Sequence, residues 1–112
     1  MSEPLFSTKV VDSDDRPTIY VKGEIDPTVA GRLRDAIEPH MGPRQTIVLD
    51  FSGVRFVDSS GIYVIVNARG SLTKDGGSLI LRNPSPQTHK VLNLCGVEFT
   101  LADDLAGHPQ PD

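Results

Sequence analysis

Residues 47–62 read I-V-L-D-F-S-G-V-R-F-V-D-S-S-G-I, and the fold of the chain turns on them. Ile47, Val48 and Leu49 are apolar on consecutive positions rather than alternate ones. A strand covered on both faces reads this way, which places Thr46 to Phe51 at the centre of a partly parallel sheet. Gly53 to Asp58 is expected to be a connecting loop held by two buried anchors, Val54 and Phe56. From Ser59 to about Lys74, Ile62, Ile65, Val66, Leu72 and the stem of Arg69 recur at helical spacing. Gly70 costs that helix about 1 kcal/mol relative to alanine. Asp58-Ser59-Ser60-Gly61 therefore opens a helix directly after the loop.

On the N-terminal side, Phe6 to Val11 and Thr18 to Val21 are β-prone and flank the polar turn Asp12 to Pro17, as in an antiparallel hairpin. Gly23-Glu24-Ile25-Asp26 precedes Pro27, so Asp26 is expected to cap a helix with Pro27 at its first position. Val29, Leu33 and Ile37 give that helix one buried face, and Pro39, Gly42 and Pro43 end it. On the C-terminal side, Asp75-Gly76-Gly77 reads as turn chemistry alone and Ser78 to Leu81 as a short strand. Ser85 and Pro86 open a third helix in which Val91, Leu92 and Cys95 face inward, with Gly96 as its stop. Phe99 and Leu101 suggest a last short strand, and the polar, Pro-rich tail over 106–112 is expected to be disordered. Strands and helices alternate after the hairpin, which argues an α/β fold in a single domain over 1–112 with its core at about 5–101.

Composition narrows the function. The chain has 112 residues, 38% hydrophobic and 23% charged, values that suit one globular domain. One cysteine permits no intramolecular disulfide, which fits a reducing cytoplasm. The net charge is −4 and the basic residues are scattered, so nucleic-acid binding is disfavoured. The longest apolar runs, such as Ile62 to Val66, fall far short of the roughly 20 residues a spanning helix needs, so no direct membrane insertion is expected. Met1-Ser2-Glu3-Pro4 lacks the basic and apolar regions of a signal peptide, and a soluble intracellular protein is expected.

Catalytic readings fail one by one. His40, His89 and His108 have no metal-ligand spacing, so neither a metal nor any other cofactor is expected. Around Ser59 and Ser60 the sequence V-D-S-S-G lacks the first glycine of a G-x-S-x-G elbow, and neither phosphate-cradling glycine loop is present. Cys95 reads as a small buried hydrophobe. The D-S-S-G turn has two compatible readings. As structure, Asp58 or Ser59 caps the helix and Gly61 allows close packing. As function, unpaired N–H groups and the positive end of the helix dipole would tolerate a phosphate on Ser59, which would change the sign of a partner surface without unfolding the domain. Asp26 likewise is a helix cap, or frames the same surface if its loop lies beside the Ser59 helix.

The chain resembles the STAS domain, specifically the bacterial anti-sigma factor antagonists of the sporulation and general-stress type. G-E-I-D at 23–26, I-V-L-D-F-S-G-V at 47–54, F-V-D-S-S-G-I at 56–62, G-G-S-L-I-L at 76–81, P-S-P at 84–86 and V-L-x-L-x-G-V at 91–97 carry the resemblance, in family order across about 5–101. It implies a four- to five-stranded mixed sheet with helices packed mainly on one side, and a cytoplasmic regulator that is no enzyme. It further implies that the unphosphorylated chain binds an anti-sigma factor, itself an ATP-dependent serine kinase, and so releases the sigma factor. The kinase would phosphorylate Ser59 and a PP2C-like phosphatase would restore it. Asp58, Ser60 and Gly61 would support the switch turn, while Gly23, Asp26, Ile62 and Tyr63 would meet the partner. Two departures stand out. Ile62-Tyr63 replaces the frequent Leu-Gly, and the long C-terminal helix is cut short by Gly107 and the prolines after it. The alternative is a STAS subunit of a membrane lipid- or anion-transport assembly, against which a phosphorylatable Ser59 argues; a small-molecule sensor or hydrolase lacks a nameable acid/base pair.

Overall fold

The long apolar strand expected at the centre of the sheet is there, and it is longer than its apolar run. In the computed structural model, which describes residues 6–13, 16–95 and 100–101, strand β3 covers Thr46–Val57. It lies between β2 (Arg16–Ile25) and β4 (Ser78–Arg82), both parallel to it. Strand β1 (Phe6–Ser13) pairs antiparallel with β2, and β5 (Thr100–Leu101) pairs parallel with β4, so the five strands lie in chain order. Gly96, Phe99 and the tail after Leu101 lie outside the described residues.

Each parallel step moves to the next strand in the same direction, and right-handed crossovers then put every connecting helix on one face. Helix α1 (Ala30–Ile37) contributes Leu33 and Ile37 to that face, α2 (Ser59–Lys74) contributes Ile62, Ile65, Ala68 and Leu72, and α3 (Pro86–Leu94) contributes Leu92. They cover Ile19, Val21, Ile47, Leu49, Phe51, Leu79 and Leu81 of the sheet. Val48 points the other way by strand alternation and is buried too, at 5% exposed, so the consecutive apolar run is explained. This is the expected α/β mixed sheet with its helices on one side.

The back face carries an ionic cluster. Tyr20, Asp50 and Arg82 are lateral neighbours on β2, β3 and β4. Arg82 donates from Nε to Asp50 Oδ2 at 2.8 Å and from Nη2 to the Tyr20 hydroxyl at 3.2 Å. Asn83 Nδ2 donates to the same Oδ2 at 3.4 Å. Asp50 Oδ1 accepts from the Ser52 amide at 2.9 Å and its hydroxyl at 2.6 Å. Between Asp50 and Gly53 the register with β2 slips, so β3 bulges there. The Asp50 carboxylate takes the Ser52 N–H at this bulge, where the regular ladder is broken.

Several sequence expectations give way here. Gly53 to Asp58 is no loop: β3 continues to Val57, pairing Val54, Phe56 and Val57 with Gly23, Glu24 and Ile25 across a second register slip. Val54 is buried as expected, but the slip leaves Phe56 47% exposed. Regular α1 begins at Ala30 rather than Pro27; residues 27–29 form a turn whose Val29 and Ala30 amides donate to the Asp26 carbonyl at 3.1 and 3.0 Å. Cys95 is exposed, because α3 ends at Leu94 and Cys95 follows as its C-cap. Gly77 does more than turn the chain, since a β-carbon on it would stand 2.1 Å from the Gln45 carbonyl oxygen. That approach lets Ser78 N donate to Gln45 O at 3.0 Å and starts the β3–β4 pairing.

Candidate functional site

The end of β3 is held to the end of β2 by one hydrogen bond, from the Asp58 amide to the Ile25 carbonyl at 3.0 Å. Asp58 is the N-cap of α2, with extended backbone at φ −94° and ψ −175°. Its Oδ1 accepts from the Ser60 amide at 2.8 Å, from the Gly61 amide at 3.3 Å and from the Ser60 hydroxyl. The Ser60 hydroxyl, and with it the amides of Gly61 and Ser60, holds the Asp58 carboxyl below its ordinary value against a smaller opposing effect of desolvation. The turn is therefore a charged helix cap.

The two serines are unlike each other. Ser60 is partly buried and its hydroxyl is committed to Asp58. Ser59, the first helical residue, is exposed, and its hydroxyl has no hydrogen-bond partner among the described residues. The amides expected to be unpaired at this helix start are in part occupied, since Asp58 already takes those of Ser60 and Gly61. A group added to Ser59 thus meets solvent, the dipole end and the Asp58 carboxylate rather than an empty cradle.

The Gly23–Asp26 segment does lie beside this turn. Ile25 gives its carbonyl to Asp58 and its side chain packs against Gly61. Asp26 Oδ1 accepts from the Thr28 amide at 3.0 Å and its hydroxyl at 2.6 Å, the geometry also seen at Asp50–Ser52 and Asp58–Ser60. Three D-x-[ST] triplets in the sequence, at 26, 50 and 58, thus make one kind of turn, a repeated signal legible in the sequence itself. Two residues expected to meet a partner do not reach the surface. Gly23 is buried within β2, and Ile62 is 6% exposed because it faces the core. Tyr63, the next residue, stands 68% exposed. Sequence reasoning missed Phe56, exposed three residues before Ser59, and Glu24, whose carboxylate lies 3.9 Å from Arg55.

Among the described residues, no group of three or more His, Cys, Asp and Glu side chains could hold a metal, and no helix is long and apolar enough to cross a membrane.

The family model described as the STAS domain matches residues 7–107. The chain is 32% identical over 95 residues to the anti-sigma-B factor antagonist of Listeria monocytogenes, spanning 82% of each protein. An anti-sigma factor antagonist from Mycobacterium paratuberculosis has the same fold, with a TM-score of 0.76 and 30% identity over 93% of this chain and 94% of that one. The Bacillus cell fate determinant SpoIIAA in its phosphorylated form matches with a TM-score of 0.68 and 25% identity over 89% of this chain and 95% of that one. The motif resemblance, the strand order and these matches agree: the chain belongs to the STAS domain family.

Proposed function

We propose that this chain is a cytoplasmic anti-sigma factor antagonist whose binding is switched by phosphorylation of Ser59. The observation that carries the reading is the division of labour between the two serines: Ser60 is tied to the cap, and Ser59 presents a free, exposed hydroxyl at the first helical position. Relatives named as anti-sigma factor antagonists, and one relative solved in a phosphorylated form, support it. In this scheme the anti-sigma factor is the serine kinase and holds the ATP; the chain is its substrate, and a PP2C-like phosphatase reverses the step.

A phosphate adds about −1.5 to −2 charge at Ser59, next to Asp58 in the chain. The Asp58 cap does not involve the Ser59 hydroxyl, so the fold persists while the surface becomes strongly negative. A partner that had buried a neutral serine then has to desolvate a dianion, and the complex dissociates. Incubation with an anti-sigma serine kinase and ATP, followed by mass spectrometry, should place one phosphate on Ser59. The Ser59→Ala variant should take none and stay bound to the kinase. Phosphate on neither serine would sink the reading.

A further inference from the structure

We propose that β1 pairs edge to edge with β1 of a second copy of this chain, antiparallel about a two-fold axis centred on Val10. Strand β1 closes one side of the sheet, and among the described residues nothing pairs with its outer edge. Its edge runs along eight residues, Phe6–Ser13. Sheet edges are usually guarded by proline, by a bulge, by shortness or by charge. β1 contains no proline, and its pairs with β2 follow in register without a slip. The opposite edge, β5, is two residues long among the described residues. Valines stand on both faces of the open edge. Val10 lies across from Ile19 on the helix-covered face and Val11 across from Thr18 on the back, and each is 39% exposed. The one lysine of the strand, Lys9, selects the register rather than blocking it.

The occupant is a second copy because the strand complements itself. A two-fold axis through an antiparallel pair keeps like faces together, so only positions on the same face oppose one another. The strand overlaps its copy over all but one residue only when the axis passes Lys9 or Val10. Centring on Lys9 sets two ammonium groups against each other. Centring on Val10 opposes Val10 to itself, Thr8 to Asp12 and Lys9 to Val11 of the other copy. Each Thr8 hydroxyl then donates to an Asp12 carboxylate, each Lys9 stem lies over a Val11, and no like charges stand directly opposed. Alternate pairs exchange both backbone bonds, so about six new N–H···O bonds form. The pairing consumes the long open edge of both copies and therefore closes at a dimer. Strand β3, which leads into Ser59, lies beyond β2, so the switch turn stays clear of this contact.

The test is sedimentation equilibrium of the full chain over about 5–500 μM, the range that suits an interface of this small size. The wild-type chain should dimerise with a micromolar Kd. Val10→Glu sets two carboxylates against each other on the axis and should weaken the dimer by about tenfold or more. Val11→Glu places a carboxylate opposite Lys9 of the other copy and should leave the dimer as tight or tighter. The two valines are equally exposed, so association through a merely apolar surface would weaken alike in both variants, and that result overturns the proposal. Hydrogen exchange on the wild-type chain depends on no variant folding: outward-facing amides of β1 should gain protection as the concentration rises. A chain still monomeric at about 500 μM overturns the pairing. So does a dimer whose β1 amides exchange at the same rate at every concentration.

Discussion

A β-carbon on Gly61 would stand 2.6 Å from Cγ2 of Ile25, and 2.9 Å from Cγ1 of Val57. The first turn of α2 is thus pressed against the ends of β2 and β3, and the place of Ser59 depends on that contact. Gly61→Ala should push both side chains aside and destabilise the domain by about 1–3 kcal/mol, the usual range for overpacking. Urea denaturation measures the loss. Adding Ile25→Ala, which removes the clashing methyl, should make the double variant less destabilised than the sum of the two single changes. Strict additivity would mean that the two residues do not touch.

The Asp58 cap predicts a pH dependence with a definite sign. Its folded-state pKa is lowered, first by the Ser60 hydroxyl. Its stabilisation is therefore complete above the unfolded value of about 3.9 and is lost as the pH falls through the lower folded value. Comparison with Asp58→Asn isolates this group from the other carboxylates. The gap in urea midpoint between the two proteins should be constant between about pH 7 and pH 5 and close below about pH 4. A gap unchanged at lower pH would show that the cap does not act through its charge. Ser60→Ala should bring the Asp58 carboxyl back toward its ordinary value, measurable by NMR titration, and should leave Ser59 as the proposed acceptor of phosphate.

Asp50 makes a second, independent case. Burial pushes its carboxyl up, but the Ser52 hydroxyl and amide and the Arg82 guanidinium together outweigh this and hold it below the ordinary value. The side chains of Arg82 and Asp50 are 16% and 6% exposed, so solvent cannot readily replace either partner. Arg82→Met should cost about 3 kcal/mol, the lower end for a broken buried pair, because Ser52 and Asn83 still donate. Adding Asp50→Asn should recover part of that loss. A loss under about 1 kcal/mol would mean that the pair behaves as a surface bridge.

What the sequence disclosed and what it hid have physical causes. Ile47-Val48-Leu49 could be read as a doubly covered strand because burial on both faces leaves no alternation to misread. The helix from Ser59 to Lys74 was legible from its spacing and from its capping aspartate. The extension of β3 to Val57 was not, because two register slips break the alternation that would mark Val54 to Val57 as strand. The same slips expose Phe56. Helical spacing already puts Ile62 in the apolar set of α2, and its burial there keeps it from the partner contact that the resemblance implies, while Tyr63 stands outside. The start of α1 was displaced because the Asp26–Thr28 turn takes up the first residues after Pro27 before regular helix begins. Nothing in a single sequence reports which of two adjacent serines is bonded; that required the Asp58 carboxylate in three dimensions.

The bonding of Ser60 leads to the prediction that separates the switch from the scaffold. If Ser59 is a switch and no part of the cap, an acidic residue there should change binding and leave folding alone. Ser59→Asp places a charge at the first turn of α2, where the helix dipole favours it, but beside Asp58, which opposes it. The two effects nearly offset, so stability should stay within about 0.5 kcal/mol of wild type. Affinity for the anti-sigma partner should fall by several kcal/mol, as expected for a charge left unpaired in an interface. Ser60→Asp should do the opposite: it deprives Asp58 of its hydroxyl donor and sets two carboxylates against each other, so the melting temperature falls. Equal destabilisation by both changes would place Ser59 in the cap and remove the structural basis of the switch.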